Sequence, residues 1–411
     1  MSESAAQVGA GEGAVGARPA RAWSMLVILF ALTGLAQAED AVVRDCPDIG
    51  APAGTTPAPA TPAPGTRPRE LASRLPPGPL RDRLLGAAAD GFRASRLAIA
   101  HRGAPLRYPE HTRESWIAAA RTGAGVIEAD VTFTRDLELV VRHSQCDLHS
   151  TTNILRTPLA GRCAVPFQPA VRDGEGQLVI PARARCCTSD LTLAEFMTLR
   201  GRMDAVNPAA RTVDEYLDAV PAIALEPCLD EGTLMSHRES IELFRDLGAE
   251  MIPELKAPEV PMPFRGFTQE DYARKLVREY RDAGVPAEQV RLQSFRLDDI
   301  LLWLREAPEF GRRALWLDGR YESAGFDHRR VADLRPTMTE LVEAGVRFIG
   351  PPLWMLVEEE QGRIVPSAYA RAAQAAGLGI IAWSLERSGP LSGGGGWYYQ
   401  TLNGDNPGPG A

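Results

Sequence analysis

The chain has 411 residues, of which 45% are hydrophobic and 24% are charged, and its formal net charge at pH 7 is −8. This apolar content is ordinary for a folded protein, so one large domain with terminal extensions can bury a core. The acidic excess argues against nucleic acid and anionic membranes as partners, because both repel a negatively charged protein. Any positive potential for an anionic ligand must therefore be local.

The first 38 residues have the features of a secretory signal peptide. Arg18 and Arg21 precede an apolar run at 25–35, and Ala36-Gln37-Ala38 then offers a small-residue cleavage site. The apolar run is shorter than the ~20 residues that a membrane-spanning helix requires. We therefore expect residues 1–38 to be removed during export. The mature chain would then lack a stable membrane span and would be periplasmic or secreted.

Six cysteines agree with export to an oxidising compartment. Four of them lie between positions 146 and 187, and none has the C-x-x-C spacing that is typical of zinc sites. We expect disulfide bonds whose pairing stays open, with the adjacent Cys186 and Cys187 bonded to different partners. Reduced thiols buried in the core are the alternative. The full set is Cys46, Cys146, Cys163, Cys186, Cys187 and Cys228.

Two segments of unusual composition flank the main domain. Residues 39–90 are rich in Pro, Ala and Thr, and such a composition predicts an extended linker because it cannot bury a core. Residues 388–411 form a Gly-rich tail, in which Trp397-Tyr398-Tyr399 could pack back onto the domain. The predicted domain between these segments spans residues 91–387.

Within this domain, short apolar runs alternate with helical segments, which is typical of βα units. Eight such strands predict an α/β fold of the (β/α)8 TIM-barrel type. An insertion at about 144–221 follows the third strand, is longer than an ordinary βα loop and contains four of the cysteines. The predicted strands are 97–100, 126–131, 137–141, 251–256, 290–295, 314–317, 346–349 and 379–384.

The first three strands carry polar residues at or near their C-terminal ends, where a parallel barrel collects its reacting groups. His101 and Arg102 follow the first strand, Glu128 and Asp130 lie in the second, and His143 follows the third. Alternate residues of a strand point to opposite faces, so Glu128 and Asp130 share one face.

The fourth strand repeats this pattern and places Glu254 and Lys256 on one face. Three carboxylates exceed the two basic groups, Arg102 and Lys256, so one buried charge stays uncompensated. A set of oxygen ligands suits Ca²⁺ or Mg²⁺ better than zinc. We therefore expect Glu128, Asp130 and Glu254 to hold one divalent cation, and a network of ion pairs without metal is the alternative.

Five motifs together resemble those of the glycerophosphodiester phosphodiesterase family, over roughly residues 97–386. They are HRGAP at 101–105, PEHT at 109–112, EAD at 128–130, TRD with LVVRH at 134–143, and PELK at 253–256. The resemblance implies acid–base roles for His101 and His143. It also implies metal binding by Glu128, Asp130 and Glu254, and phosphate binding by Arg102 and Lys256.

Two positions depart from the usual motifs of that family. Its PENT motif reads Pro109-Glu110-His111-Thr112 here, and its His-Asp pair reads His143-Ser144. We expect that neither change touches a predicted ligand or a predicted proton-transfer group. We expect His111 to lie at the surface or to cap a helix that begins near Arg113, for which Thr112 is a suitable N-cap.

Three residues near the ends of later strands, Gln293, Phe295 and Trp383, are candidates for the substrate pocket, with core packing as the alternative. The resemblance implies an enzyme that hydrolyses small glycerophosphodiesters to sn-glycerol 3-phosphate and an alcohol. The nucleophile would be water or the neighbouring glycerol hydroxyl, and the resemblance favours the hydroxyl. A phospholipase D-like enzyme acting on lysophospholipids or sphingolipids is one alternative, and a catalytically dead phosphodiester-binding module is another.

Overall fold

The structure of the protein is a computed structural model. It describes residues 46, 49, 62, 63, 65, 67–87, 92–219, 227–385 and 396–402. The predicted signal peptide lies outside the described residues, as does most of the predicted Gly-rich tail. Among the helices in these ranges, none has the length and apolar character needed to cross a membrane.

The described part of the chain contains twelve α-helices and sixteen strands. The helices α1 to α12 are Arg67–Arg74, Pro79–Ala87, Arg113–Arg121, Leu148–Thr151, Leu193–Phe196, Val213–Leu217, His237–Asp246, Gln269–Asp282, Leu297–Glu306, Pro308–Gly311, Met338–Glu343 and Ala368–Ala375. The strands β1 to β16 are Ser95–Ala100, Ala124–Phe133, Leu139–Val141, Val165–Gln168, Val171–Arg172, Leu178–Ile180, Arg183–Arg185, Arg200–Arg202, Glu231–Thr233, Glu250–Leu255, Gln293–Ser294, Leu315–Leu317, Phe348–Gly350, Val357–Glu360, Arg363–Pro366 and Gly379–Ile380.

The central sheet has eight strands, and each of them overlaps a strand predicted from the sequence. Seven are parallel, in the order β1-β2-β10-β11-β12-β13-β16. The third predicted strand was expected to be parallel as well, and this was wrong. Strand β3 pairs antiparallel with β2, with Leu139 opposite Phe133, because residues 134–138 are too few for a parallel crossover.

The sheet curves around an interior cavity of about 900 Å³. Ile99 of the first strand, β1, and Ile380 of the last strand, β16, both line this cavity. Within the described ranges, no backbone pairing joins β16 back to β1. Leu97 in β1 is accordingly 98% exposed. The predicted barrel is thus seen as seven parallel strands of a curved sheet that is open between its first and last strands.

Helices cover the outer face of the sheet and bury large aromatic side chains against it. Trp116 of α3 meets Phe244 of α7 edge to face, with ring centroids 4.9 Å apart. Tyr280, Trp303 and Tyr369 of α8, α9 and α12 are almost fully buried in the same core. Each such side chain contributes roughly 1.5–3 kcal/mol by leaving water, so this layer holds the strands in place beneath the site.

The segment predicted as an insertion folds around a smaller hydrophobic cluster that includes Leu148, Phe196 and Tyr216. All six cysteines form disulfides, and Cys186 and Cys187 have different partners, which confirms the prediction for this pair. The bonds are Cys46–Cys228, Cys146–Cys187 and Cys163–Cys186.

The predicted linker, residues 39–90, contains α1 and α2, so these stretches are helical rather than extended. Helix-favouring residues such as Glu70, Leu71 and Ala72 follow Pro68, and proline is tolerated in a first turn. The tail also contacts the domain. Trp397 stacks on Trp383 with centroids 5.8 Å apart, which confirms that this part of the tail packs back.

Candidate active site

The register of three neighbouring strands brings the predicted carboxylates together. Asp130 of β2 lies opposite Glu254 of β10, and Glu254 lies opposite Gln293 of β11. Glu128 is two residues before Asp130 and therefore points to the same face of the sheet. Glu128, Asp130 and Glu254 each have a carboxylate oxygen within 4.8 Å of the others, and all three are buried.

Glu128 is held by groups from three segments. Its Oε2 accepts the backbone N–H of Arg102 at 2.9 Å, and its Oε1 accepts Nε2–H of Gln293 at 2.8 Å. The His101 Nε2 lies 3.8 Å from Oε2. Arg102 has a left-handed φ of 59°, and a Cβ on Gly103 would meet Ser115 Oγ at 2.4 Å. The turn after β1 thus requires glycine and directs a backbone donor to Glu128.

Asp130 is held by a residue that was not expected in the site. Its Oδ2 lies 2.8 Å from Nε2 of His111, whereas Oδ1 is buried and makes no hydrogen bond among the described residues. His111 is fully buried, so its predicted surface position was wrong. Its φ of 53° lies in the left-handed region, which favours the Asn that the related motif usually has there. This departure does therefore touch a predicted ligand.

The pKa values of the carboxylates differ because their neighbours differ. Burial raises the pKa of Glu254 to about 8, even though Lys256 Nζ lies 2.7 Å from its Oε1. Burial also raises the pKa of Glu128. For Asp130, burial acts in the same direction, but Lys256 and His111 outweigh it and hold the pKa well below its usual range. The cluster thus combines a strongly ionised carboxylate with two that resist ionisation.

The same cluster fits a hard divalent cation. Its donors are carboxylate oxygens, which Ca²⁺ and Mg²⁺ prefer, and Asp130 Oδ1 is a buried oxygen without a hydrogen-bond donor. Lys256 contacts the cluster through its ion pair with Glu254. Glu128, Asp130 and Glu254 could therefore hold one such cation.

The backbone N–H of Arg102 binds the carboxylate cluster, but its guanidinium binds Glu110, which is outside that cluster. Its Nη1 donates to Glu110 Oε2 at 3.0 Å, and the side chains of both residues are buried. Arg102 is not among the residues that line the 900 Å³ cavity. The acidic neighbours Glu110 and Asp130 outweigh burial and raise the pKa of Arg102, so it stays charged. Glu110 belongs to the PEHT motif but was not predicted as a site residue.

His143 faces the cavity from the loop after β3, and two carboxylates lie near it. Single side-chain atoms of His143, Glu110 and Asp147 lie within 4.8 Å of one another. Arg142 Nη2 lies 4.0 Å from Glu110 Oε1, and Arg142 Nε lies 3.8 Å from Asp147 Oδ1. The positive charge of Arg142 therefore offsets the negative charge of these two carboxylates. Burial, together with the charges of Lys256 and Arg102, holds the pKa of His143 well below its usual range.

Position 144 is Ser here, where the related motif has Asp. His143 nevertheless has an acidic neighbour, because Asp147 lies three residues after Ser144. Asp147 Oδ2 accepts the backbone N–H of Ser144 at 3.1 Å, which fixes the loop. Burial raises the pKa of Asp147 to about 7. Asp147 was not predicted as a site residue, because the alternation of residues along a strand cannot identify a residue in such a loop.

Most of the predicted site residues meet at the interior cavity. Phe295 and Trp383 form part of its wall, edge to face with ring centroids 5.9 Å apart. A second cavity of about 530 Å³ shares His143, Glu254 and Lys256 with the first. The site residues that line the larger cavity are His101, Glu128, His143, Glu254, Lys256, Gln293, Phe295 and Trp383. The arrangement offers a cation site, a basic group for an anion and two imidazoles for proton transfer.

The sequence model of the glycerophosphoryl diester phosphodiesterase family matches residues 101–388. The chain belongs to this family. The matched region begins at His101 and includes every predicted site residue. Family membership supports phosphodiester hydrolysis as the general activity, and the motifs that carried the resemblance are those that assemble the cavity.

Parts of the chain are similar to proteins from several organisms. A protein of Arthroderma benhamiae named "Extracellular protein" is 41% identical over 206 residues, which is 49% of this chain and 82% of that protein. A putative glycerophosphoryl diester phosphodiesterase of Silicibacter pomeroyi, solved by crystallography, is 20% identical with a TM-score of 0.47, and the match covers 72% of this chain and 83% of that one. A phosphodiesterase of Oleispira antarctica, solved with the product sn-glycerol-3-phosphate, is 18% identical with a TM-score of 0.43, over 70% of this chain and 83% of that one.

Proposed function

We propose that the protein is an exported, metal-dependent hydrolase that converts glycerophosphodiesters to sn-glycerol 3-phosphate and an alcohol. The observation that carries this proposal is one cavity lined by His101, His143, Lys256 and two carboxylates of the buried cluster. Membership of the glycerophosphoryl diester phosphodiesterase family supports the same reaction class.

In this proposal Glu128, Asp130 and Glu254 hold one divalent cation, Ca²⁺ or Mg²⁺. The oxygen donors, their spacing within 4.8 Å and the buried Oδ1 of Asp130 support it. A bound cation at this position supplies Lewis-acid stabilisation of phosphoryl oxygens and lowers the pKa of a nearby hydroxyl. Gln293 and the Arg102 N–H orient Glu128 for this role, since each donates a hydrogen bond to one of its oxygens.

The cationic and imidazole groups have separate tasks. Lys256 borders the cavity and would donate hydrogen bonds to the non-bridging phosphate oxygens, where negative charge grows in the transition state. Arg102, held by Glu110, adds positive charge behind this end of the site. One of His101 and His143 takes the proton from the nucleophile, which is water or the neighbouring glycerol hydroxyl, as the nucleophile's oxygen bonds to phosphorus. The other donates a proton to the departing alkoxide as its P–O bond breaks. Attack by water gives sn-glycerol 3-phosphate directly, whereas attack by the glycerol hydroxyl gives a cyclic phosphate that water then opens to the same product.

The cysteine chemistry supports export. All six cysteines are paired in disulfides, and such bonds persist in oxidising compartments outside the cytosol. The signal peptide predicted at residues 1–38 and the extracellular description of the Arthroderma relative agree with this location. We propose secretion, with a periplasmic location as the equivalent in a cell with two membranes.

The histidine assignment is tested by substitution. His101→Ala and His143→Ala should each lower kcat for glycerophosphocholine at least about 100-fold, the usual contribution of acid–base catalysis. His149→Ala is the matched control, because His149 lines neither of the two cavities at the site, and it should keep wild-type turnover. Retention of more than a tenth of the wild-type rate in either test variant would remove that histidine from the mechanism.

The same assay distinguishes the alternatives. Release of sn-glycerol 3-phosphate from glycerophosphocholine supports the proposed hydrolase. Choline release from lysophosphatidylcholine, without turnover of glycerophosphocholine, would instead indicate the phospholipase D-like activity. Binding of glycerophosphocholine without turnover of either compound would indicate a phosphodiester-binding module.

A further inference from the structure

Three aromatic side chains and one carboxylate form part of the wall of the cavities at the candidate active site. Phe295, Tyr321 and Trp383 line the cavity of about 900 Å³, and Glu322 lines both this cavity and the smaller one of about 530 Å³. These residues follow β11, β12 and β16, whose C-terminal ends lie at the same rim of the sheet. We refer to Phe295, Tyr321, Glu322 and Trp383 as the aromatic wall.

The three rings of the aromatic wall are held by one another and by the C-terminal segment. Trp383 meets Phe295 and Tyr321 with ring centroids 5.9 and 6.3 Å apart. Trp383 Nε1–H also donates to the carbonyl of Gly350 at 2.8 Å. Trp397 contacts both Trp383 and Tyr321, at 5.8 and 5.5 Å. The rings are only partly buried, so a preorganised wall still has ring surface that a ligand can cover.

Glu322 adds a negative charge to the aromatic wall. Its side chain is exposed and forms no ion pair within the described part of the chain. Burial raises the pKa of Tyr321, and the neighbouring Glu322 raises it further, as a negative potential does. Arg320 lines the smaller cavity, but its Nη2 lies 2.6 Å from Asp318 Oδ2, so its charge is already offset. The charge of Glu322 is thus available to a cationic ligand.

Aromatic rings together with a carboxylate have the chemistry that recognises a quaternary ammonium group. Such a group has no N–H donor to satisfy, and both the negative faces of the rings and Glu322 attract its charge. A primary ammonium keeps three donors, and a polyol keeps several hydroxyls, for which ring surfaces offer no partners. An anionic alcohol would be repelled by Glu322, and an acyl chain would remove water from this carboxylate without replacing it.

The aromatic wall lies beside the groups proposed to act on the phosphate. Phe295 and Glu322 line the smaller cavity together with His143 and Lys256, so a phosphate at Lys256 and a cation at the wall border one space. We infer that the aromatic wall binds the quaternary ammonium group of a choline-type alcohol and makes glycerophosphocholine the preferred diester. This inference rests on the proposed function and names the alcohol that its reaction releases.

Binding of choline alone tests the aromatic wall without any turnover. Isothermal titration calorimetry of the whole purified protein compares choline with its uncharged isostere, in which carbon replaces the ammonium nitrogen. The wild-type protein should bind choline about tenfold more tightly than the isostere or better, because only choline carries the charge that the rings and Glu322 attract.

Glu322→Gln and Tyr321→Leu should each weaken choline binding roughly fivefold or more. Tyr321→Phe keeps the ring and should bind choline as the wild-type protein does. Glu360→Gln is the matched control, because Glu360 is also exposed but lies on β14 and lines neither cavity. It should leave choline affinity unchanged, and an unchanged melting temperature in each variant shows that the fold is intact.

Turnover gives a second measure of the same preference. The ratio of kcat/KM for glycerophosphocholine to that for glycerophosphoglycerol should exceed about ten in the wild-type protein and should fall in Glu322→Gln. Equal binding of choline and its isostere, or choline binding that survives both Glu322→Gln and Tyr321→Leu, would overturn the inference while leaving the proposed reaction intact. Absence of turnover of both diesters would overturn the proposed reaction instead, and choline binding would still decide the inference.

Discussion

Asp130 and Glu254 lie opposite each other on neighbouring strands, yet their protonation differs. Lys256 and His111 hold the pKa of Asp130 well below its usual range, while burial raises the pKa of Glu254 to about 8. In the metal-free protein at neutral pH, Asp130 is thus ionised and Glu254 largely holds its proton. A cation that binds Glu254 must displace this proton.

Cation affinity should therefore depend on pH. Below pH about 8, the dissociation constant for Ca²⁺ or Mg²⁺ should fall by up to about tenfold for each unit of rising pH, and it should level off above that value because Glu254 is then ionised. Isothermal titration calorimetry in two buffers of different ionisation enthalpy measures both the affinity and the released proton. Asp147→Asn is the control, because it removes a second group with a pKa of about 7. A pH-independent affinity would contradict the assigned protonation of Glu254.

His111 should act on the cation site through Asp130. Gln carries its side-chain amide N–H about as far from the backbone as the His111 ring carries Nε2, so His111→Gln retains a donor to Asp130 Oδ2 and should keep cation affinity within about threefold. His111→Leu removes the donor and should weaken affinity roughly 10- to 100-fold, as loss of a hydrogen bond to a metal ligand commonly does. Direct cation titration at one pH measures both variants. Equal affinity in the Leu and Gln variants would show that the hydrogen bond is unimportant.

At this scale the sequence predicted the residues on strands better than those in loops. The two-residue period placed Glu128, Asp130, Glu254 and Lys256 on the correct face. No such period applies to the loop that carries Glu110 and His111, whose positions depend on left-handed backbone and on a hydrogen bond from His111 N–H to Arg102. The Asn that the related motif usually has at position 111 was the sequence feature that could have predicted the left-handed backbone.

Among the secondary-structure elements, the β8–β9 ribbon fixes the start of α3. Gly201 and Gly232 are paired across this ribbon, and a Cβ on either would come within 2.6 Å of Thr112. Thr112 in turn caps α3, and its neighbour His111 binds Asp130. Two glycines thus let a ribbon outside the sheet pack directly against the loop that supports the site.

Gly232→Ala should destabilise the protein by roughly 1–3 kcal/mol, because the added methyl group overlaps Thr112 and forces the ribbon outward. Urea unfolding gives the free energy of unfolding. Gly161→Ala is the control, since no atom lies within 4 Å of its added Cβ, and it should change stability little. If Gly232→Ala were as stable as Gly161→Ala, the close packing of the ribbon on Thr112 would be refuted.

Some secondary-structure elements could not be predicted correctly from the hydrophobic pattern or the composition of the sequence. Apolar runs located all eight strands of the sheet, but the run at 137–141 did not reveal that β3 returns antiparallel along β2. Its short connection to β2 was the evidence for a hairpin. In residues 39–90, the average composition concealed α1 and α2, because the proline-rich part lies mainly before Pro68.

For the whole molecule, the disulfides differ in how much chain they constrain. Cys46–Cys228 joins residues 182 positions apart, whereas Cys163–Cys186 joins residues 23 positions apart. The entropy removed from the unfolded chain grows with the length of the closed loop. The bond that connects the N-terminal segment to the domain is therefore expected to stabilise the fold most.

Replacing both cysteines of a pair with serine tests this expectation. Cys46→Ser with Cys228→Ser should cost roughly 4–5 kcal/mol, and Cys163→Ser with Cys186→Ser about 3 kcal/mol. Urea unfolding of the two double variants and the wild-type protein gives the comparison. A larger loss for the 163–186 pair would show that local packing around this bond, rather than chain entropy, dominates.

We propose that a cation held by Glu128, Asp130 and Glu254 is required for hydrolysis of glycerophosphodiesters. The most direct measurement is the release of sn-glycerol 3-phosphate from glycerophosphocholine by the purified protein. It is made with EDTA present, and again after Ca²⁺ or Mg²⁺ has been restored. We expect that EDTA abolishes release and that one of these cations recovers it. Release that continues at an unchanged rate in EDTA, or no release with either cation, would contradict it.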